Sequence, residues 1–223
     1  KSLNKFPMDL VLFGRQGSGK GTQGKFFTER YGLTPFVTGD ELRKLAALDS
    51  ELGRKIKSII EAGHLVPNEV VMEIIENFMN NLEEGKSVLF DGIPRKMEQA
   101  ESFNALMKKL NREFSGVLIE IGEKTAIFRL TSRRMCAKCK AIYPAKYDKE
   151  SCEECGGELE TRQDDANMDA IRTRLDAYEN ETVPAINMYR EMDKIIEING
   201  EQDIEVVNQD AFAVLDPLFG VSN

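Results

Sequence analysis

The nine residues Gly14-Arg15-Gln16-Gly17-Ser18-Gly19-Lys20-Gly21-Thr22 have the types and spacing of a loop that wraps a phosphate group. Glycines let backbone N–H groups turn inward around an anion without Cβ clashes. A helix beginning at the lysine would aim its positive end at the same anion, and Lys20 would add a full charge near the β- and γ-phosphates. Thr22 offers a hydroxyl to Mg2+ or to phosphate. Gly21 stands where the general motif has Ser or Thr. The plainer alternative is a flexible glycine turn beside a surface lysine. The apolar run before the loop and the helical pattern after it favour the phosphate site.

A second constellation is Cys136-x2-Cys139 followed, after 12 residues, by Cys152-x2-Cys155. Paired knuckles of this form place four thiolates for a tetrahedral ion, and Lys138 and Lys140 offset the surplus negative charge. Two disulfides are the competing arrangement. All four cysteines of the chain lie in this one cluster, and no secretory segment is evident, so Zn2+ is favoured. Iron or cobalt fit the same ligands. With every position filled by protein, the site would be structural. Gly156-Gly157 suits the turn after the second pair.

Positioning these groups requires a scaffold. In 223 residues, 41% hydrophobic and 30% charged, there is enough apolar material for one large domain or a compact domain with insertions. The net charge of −8 argues against broad nucleic-acid binding, and no apolar run is long enough to span a bilayer. Short apolar runs at Leu10 to Phe13, Pro35 to Val37, Val88 to Phe90, Val117 to Ile121 and Ile195 to Ile198 lack polar alternation, as buried parallel strands do. Between them, Met97 to Leu110 places Ala100, Phe103, Leu106, Met107 and Leu110 on one helical face. Ile171, Leu175, Tyr178, Ile186 and Tyr189 form a longer stripe in which Pro184 predicts a kink or break. Leu52, Ile56, Ile59 and Ile60 form a shorter one, ended by Gly63. Strand and helix in alternation predict an α/β fold with a five-stranded parallel sheet. From about Met135 to Asp165 apolar residues are too few for a core, so a metal would hold that segment together. Lys1 to Pro7 read as an appendage left from expression, with Met8 as the native start.

The phosphate loop continues as Gly19-Lys20-Gly21-Thr22-Gln23 and is followed by Thr38-Gly39-Asp40 with Arg43, then Asp91-Gly92-Ile93-Pro94-Arg95 with Gln99. Ser132-Arg133-Arg134 comes next, then Arg162 with Asp164-Asp165, then Arg174-Leu175. In this order, over nearly the whole chain, the motifs resemble those of the adenylate kinases, specifically members with a long, metal-binding lid. Three departures stand out. Gln16 replaces a proline, Ser132 replaces a glycine, and the stretch from Asp165 to Arg174 is one residue longer than usual.

The resemblance implies a P-loop core (8–37, 67–129 and 166–220), a nucleoside-monophosphate flap (38–66) and a lid (130–165). It implies Mg2+-dependent phosphoryl transfer from ATP to AMP, giving two ADP, by a cytoplasmic monomer without nucleic-acid or membrane partners. Lys20, Arg95, Arg133, Arg162 and Arg174 would be the catalytic cations. Gly17, Ser18, Gly19, Lys20, Gly21, Thr22, Arg129, Arg133 and Gln202 would hold ATP. Thr38, Gly39, Arg43, Leu65, Val66, Gly92, Arg95, Gln99, Arg162 and Arg174 would hold AMP. Gln99 is chemically apt, since an amide both donates to and accepts from an adenine edge. Asp91 would reach Mg2+ through water, or else cap the turn at Gly92. Asp164 or Asp165 would link lid to core, or cap the helix that follows. His64, the only histidine, falls in no motif and reads as a partly exposed flap residue. The alternatives are a GTP:AMP or other nucleoside monophosphate kinase and, from another class, a non-catalytic P-loop switch or zinc-ribbon adaptor.

Overall fold

The computed structural model describes residues 8–61, 65–161, 165 and 167–221. Lys1 to Pro7, Gly63, His64, Arg162 and Asp164 lie outside the described residues. Five parallel strands form the central sheet in the order β2-β3-β1-β4-β8: β1 Met8–Phe13, β2 Thr34–Val37, β3 Val88–Asp91, β4 Glu113–Glu120 and β8 Ile195–Asn199. The helices are α1 Lys20–Tyr31, α2 Thr38–Ala46, α3 Glu51–Glu61, α4 Asn68–Asn80, α5 Met97–Lys109, α6 Glu123–Ser132, α7 Met168–Ala177, α8 Val183–Glu191 and α9 Ile204–Phe219.

Both faces of the sheet are covered, which is why its strands carry no polar alternation. Along β1, Val11 and Phe13 join one core with Phe36, Phe90, Phe103 and Tyr189. Leu10 and Leu12 join the other with Phe27, Val117, Ile198 and Leu215. Helices α4, α5 and α8 supply the first layer, α1 and α9 the second. Buried ion pairs tie the ends of the layers. Arg112 grips Asp9 at 2.7 and 2.6 Å, and Asp9 also accepts from the Val88 N–H. Arg30 takes the Asp216 carboxylate with two bonds of 2.7 Å, joining α1 to α9.

The sequence expectations hold for strand number, strand direction and the α5 face. Two spans shift. β4 begins at Glu113 rather than Val117, because it pairs with β1 from Met8↔Glu113 onward. Gly116 in its interior has no room for a side chain, since a Cβ there would meet Ile195 at 2.6 Å and Phe13 at 2.9 Å. Hydrophobicity alone hides such a position. Ile121 is buried but lies beyond the strand. The expected break at Pro184 is present. A π-helical turn, Tyr178–Thr182, joins α7 to α8, and the proline sits at the start of α8, where a missing N–H is tolerated. In α3, Ile56 is buried while Leu52, on the first turn, is exposed.

A separate three-stranded antiparallel sheet, order β6-β5-β7, comprises β5 Arg134–Cys136, β6 Ile142–Tyr143 and β7 Leu159–Glu160. It has a small core after all. The Tyr143 and Tyr147 rings lie 4.2 Å apart, tilted by 35°, and pack with Ala141, Leu159, Cys136 and Cys152, so the thiols themselves provide much of the apolar filling.

Candidate active site and metal centre

Parallel register brings three strand ends level, with Leu12 beside Asp91 and Asp91 beside Val37. The chain leaves all three at one edge of the sheet, so the loops that begin at Gly14 and Gly92 neighbour the start of α2 at Thr38. This carboxyl edge is where open α/β sheets bind ligands. Gly14 has a φ of +143°, and a Cβ there would lie 2.5 Å from the Ile119 carbonyl; Gly19, at φ +94°, caps α1 in the left-handed conformation. Only glycine fits both positions comfortably. The loop therefore curls over the N-terminus of α1 as its spacing predicts.

Lys20 begins α1 and folds back, donating from Nζ to the Gly14 carbonyl and, at 3.2 Å, to that of Arg15. Its pKa is drawn down from 10.5 to about 8, chiefly by desolvation and further by the charges of Arg95, Arg133 and Arg174, with Asp91 opposing. Cations from three segments thus act on one ammonium group. Cations gathered around a buried ammonium group make an environment suited to an anion.

Unmatched polar atoms point the same way. Among the described residues, five buried side-chain atoms lack a hydrogen-bond partner: Gln16 Oε1, Ser18 Oγ, Thr38 Oγ1, Asn68 Oδ1 and Arg133 Nη2. Gln16 and Ser18 are in the phosphate loop, Thr38 follows β2, and Arg133 is one of the cations beside Lys20. Native interiors rarely leave such groups unsatisfied without a ligand or water to meet them.

Of the paired aspartates, Asp165 is the one that falls among the described residues. It is buried, and accepts from Arg133 Nε at 2.6 Å and from Arg174 Nη1 at 2.9 Å. The helix cap is instead Asn167, whose side chain accepts from the Asp169 N–H. Asp165 thereby orients two guanidiniums while leaving Arg133 Nη2 unmatched.

The remaining predicted positions fall around this edge with different engagements. Arg129 bridges two loops, bonding the Gly200 carbonyl at 2.9 Å and that of Gly17 at 3.5 Å. Arg95 folds its Nε onto the Gly92 carbonyl. Gln99 is buried, with its amide oxygen accepting the Arg95 N–H at 2.8 Å, which fixes the orientation of the amide. Arg43 pairs with Asp40 at the exposed start of α2, beside Gly39. Leu65 and Val66 lead into α4, with Val66 in the core. The side chain of Gln202 is held by Asp210 at 2.8 Å. Gly21 is exposed, and Thr22 is half-buried in the first turn of α1. Gln23, quoted only as part of a motif, ties α1 to α9 through the Ile204 carbonyl and Asn208. Glu201 was not anticipated. It accepts from the Gly122 N–H and Thr125 at the start of α6, which draws its carboxyl below the ordinary range.

The cysteine cluster has the dimensions of a metal cage. All four Sγ atoms lie within 4.8 Å of one another, with close pairs at 3.5, 3.4 and 3.7 Å. Tetrahedral thiolates at about 2.3 Å from Zn2+ would stand about 3.8 Å apart, whereas a disulfide requires about 2 Å. All four thiols are free, which removes the disulfide arrangement. Lys140 and Gly156, each directly after its knuckle, have φ of +64° and +69°, so the two turns match in form. Gly157 is required for space: a Cβ there would sit 2.8 Å from Cys136 Sγ. Cys152 is tuned toward thiolate. Desolvation raises its pKa, but hydrogen bonds from Tyr143 and from the knuckle backbone outweigh it and bring the value to about 6.

A glycine loop on the central strand of a five-stranded parallel sheet, with cations converging on its lysine, defines a P-loop phosphotransferase. Comparison with known proteins narrows this. The adenylate kinase family model matches residues 12–194. Among curated relatives, the adenylate kinase of Archaeoglobus fulgidus is 37% identical over 95% of this chain and 99% of its own. Those of Kosmotoga olearia and Bacillus mycoides are 38% and 39% identical, over 95% and 96% of this chain and 100% and 99% of theirs. The chain belongs to the adenylate kinase family and is a nucleoside monophosphate kinase. Among the described residues no helix is long and apolar enough to cross a membrane.

Proposed function

We propose that the enzyme transfers the γ-phosphoryl group of Mg·ATP to AMP, reversibly giving two ADP, beneath a lid stapled by Zn2+. The observation that carries this reading is the set of unmatched polar atoms in the phosphate loop, at Thr38 and at Arg133, together with a lysine whose charge is disfavoured by burial and further by three arginines. An AMP phosphate oxygen attacks the γ-phosphorus, the bond to the β–γ bridging oxygen breaks, and ADP leaves. The attacking oxygen is already ionised, so no general base is required. Catalysis consists of alignment, charge neutralisation and exclusion of water.

In this reading Lys20 and the N–H groups of Gly17 to Thr22 hold the ATP phosphates, while Arg129 and the loop at Gln202 face the donor nucleotide. Arg133, Arg162 and Arg174 clamp the group in flight, with Asp165 fixing two of them. Arg95 and Arg43 take the AMP phosphate, Arg43 by leaving Asp40 as the flap (38–66) closes. Thr38, Gly39, Gly92, the Leu65–Val66 backbone and Gln99 receive the AMP nucleoside. Since the Gln99 oxygen already accepts from Arg95, its amide nitrogen is the group that reads the base. Bound Mg2+ would supply charge neutralisation beside Asp91, which stands at the end of β3. Zn2+ held by Cys136, Cys139, Cys152 and Cys155 would stiffen the lid (130–165).

A coupled assay of ADP formation tests the reaction, with ATP or GTP as donor and AMP, UMP, CMP or GMP as acceptor. Turnover should be greatest with ATP and AMP and should cease when Mg2+ is chelated. Absence of turnover with AMP under every donor would refute it.

A further inference from the structure

The π-helical turn Tyr178–Thr182 touches both substrate-facing loops. From one side Glu179 forms an ion pair with Arg15, the second residue of the phosphate loop, and Arg15 also lies over the Tyr178 ring at 5.4 Å. From the other, Thr182 donates from Oγ1 to the Arg95 carbonyl at 2.8 Å, in the turn that follows β3. The Arg15 carbonyl is itself one of the two acceptors of Lys20. One short segment is therefore bonded to the loop that cradles the donor phosphates and to the loop that carries an acceptor arginine.

The shape of the turn makes this possible. In an α-helix, residues three apart lie on nearly the same face. A π turn is wider, so Glu179 and Thr182 diverge around the axis and reach different loops. Tyr178 is buried in the main core, which anchors the turn itself. Arg15 keeps most of its side chain out of solvent, so its pairing with Glu179 is better defined than a fully exposed contact.

We propose that this π-helical turn is a brace that sets the spacing between the donor and acceptor loops, with Glu179 and Thr182 as positioning residues for phosphoryl transfer. The proposal rests on the reading that these loops hold ATP and AMP. Neither residue touches the reacting atoms. Their effect is on the distance between the two phosphates, and small misplacements of aligned reactants cost large factors in rate.

The test is the single-turnover rate of ADP formation by quenched flow, with KM values and Tm measured on the same samples. E179Q, nearly isosteric, and R15A should each slow the transfer step by about tenfold, leaving the KM of ATP and AMP within about twofold. The double variant should be no slower than either single, because the two act as one pair. T182V should slow transfer by a further factor when added to E179Q. Single variants that transfer within twofold of the wild type, or losses that multiply in the double variant, would overturn the proposal. So would slowing that tracks a fall in Tm, which marks a merely structural role. A wild-type protein unable to phosphorylate AMP would instead sink the functional reading, so the two failures are distinguishable.

Discussion

Lys20 offers the sharpest test of the site, because its depressed pKa makes nucleotide binding a proton-uptake reaction. In the free enzyme desolvation and three guanidiniums bring the ammonium to about 8, and Asp91 only partly compensates. A polyphosphate placed against it adds negative charge at close range and restores the protonated form. At pH 8.5 roughly three quarters of free-enzyme molecules carry the neutral amine, so saturating ATP should take up about 0.7 proton per site. The phosphates of ATP titrate well below this pH and contribute little. Below pH 7 the uptake should vanish, since Lys20 is already charged. Above pH 9 the apparent affinity should fall toward tenfold per pH unit. Isothermal titration calorimetry of ATP binding, without AMP, in buffers of differing ionisation enthalpy measures the proton count directly. Lys20→Met should abolish it. The same shift has a consequence for folding: between about pH 8 and 10.5 the unfolded chain binds the extra proton, so stability gains with pH in that window. Lys20→Met should accordingly raise Tm at pH 7 rather than lower it. An uptake below about 0.1 proton at pH 8.5, or equal uptake in the methionine variant, would refute the electrostatic account of the pocket.

Other consequences follow from neighbouring contacts. Gly157→Ala drives a methyl against Cys136 Sγ, so metal content by elemental analysis should drop and the lid should become protease-sensitive while the core stays folded. Asp165→Asn leaves Arg133 and Arg174 facing each other without their buried carboxylate, and should destabilise the apo protein by about 3 kcal/mol in urea melts. Part of that loss should return on adding sulfate or ATP, which neutralise the same guanidiniums. Asp216 is held below the ordinary carboxylate range, first by its hydrogen bonds from Arg30. The stability it contributes is complete above its unfolded value near 3.8 and disappears as pH drops through the lower folded one. Asp216→Asn should thus be less stable at pH 7 yet show a flatter acid-unfolding limb.

Much of this enzyme is legible in its sequence. The phosphate loop could be read because its chemistry is local: glycines, a lysine and a helix start must be contiguous to surround one anion. The two cysteine knuckles were legible for the same reason, as each turn is complete within five residues. Strand number and direction followed from apolar runs, since a sheet covered on both faces leaves no polar signal within a strand. What the sequence could not supply is any relation that arises only when distant segments meet. Nothing in the order of residues says that Asp165 turns toward Arg133 and Arg174, or that Glu179 reaches Arg15 across 164 positions. The depressed pKa of Lys20 is of the same kind, a property of three distant segments folded around it. Local chemistry determined which groups are present, and the packing of helices on a parallel sheet decided what electrostatic environment each one experiences.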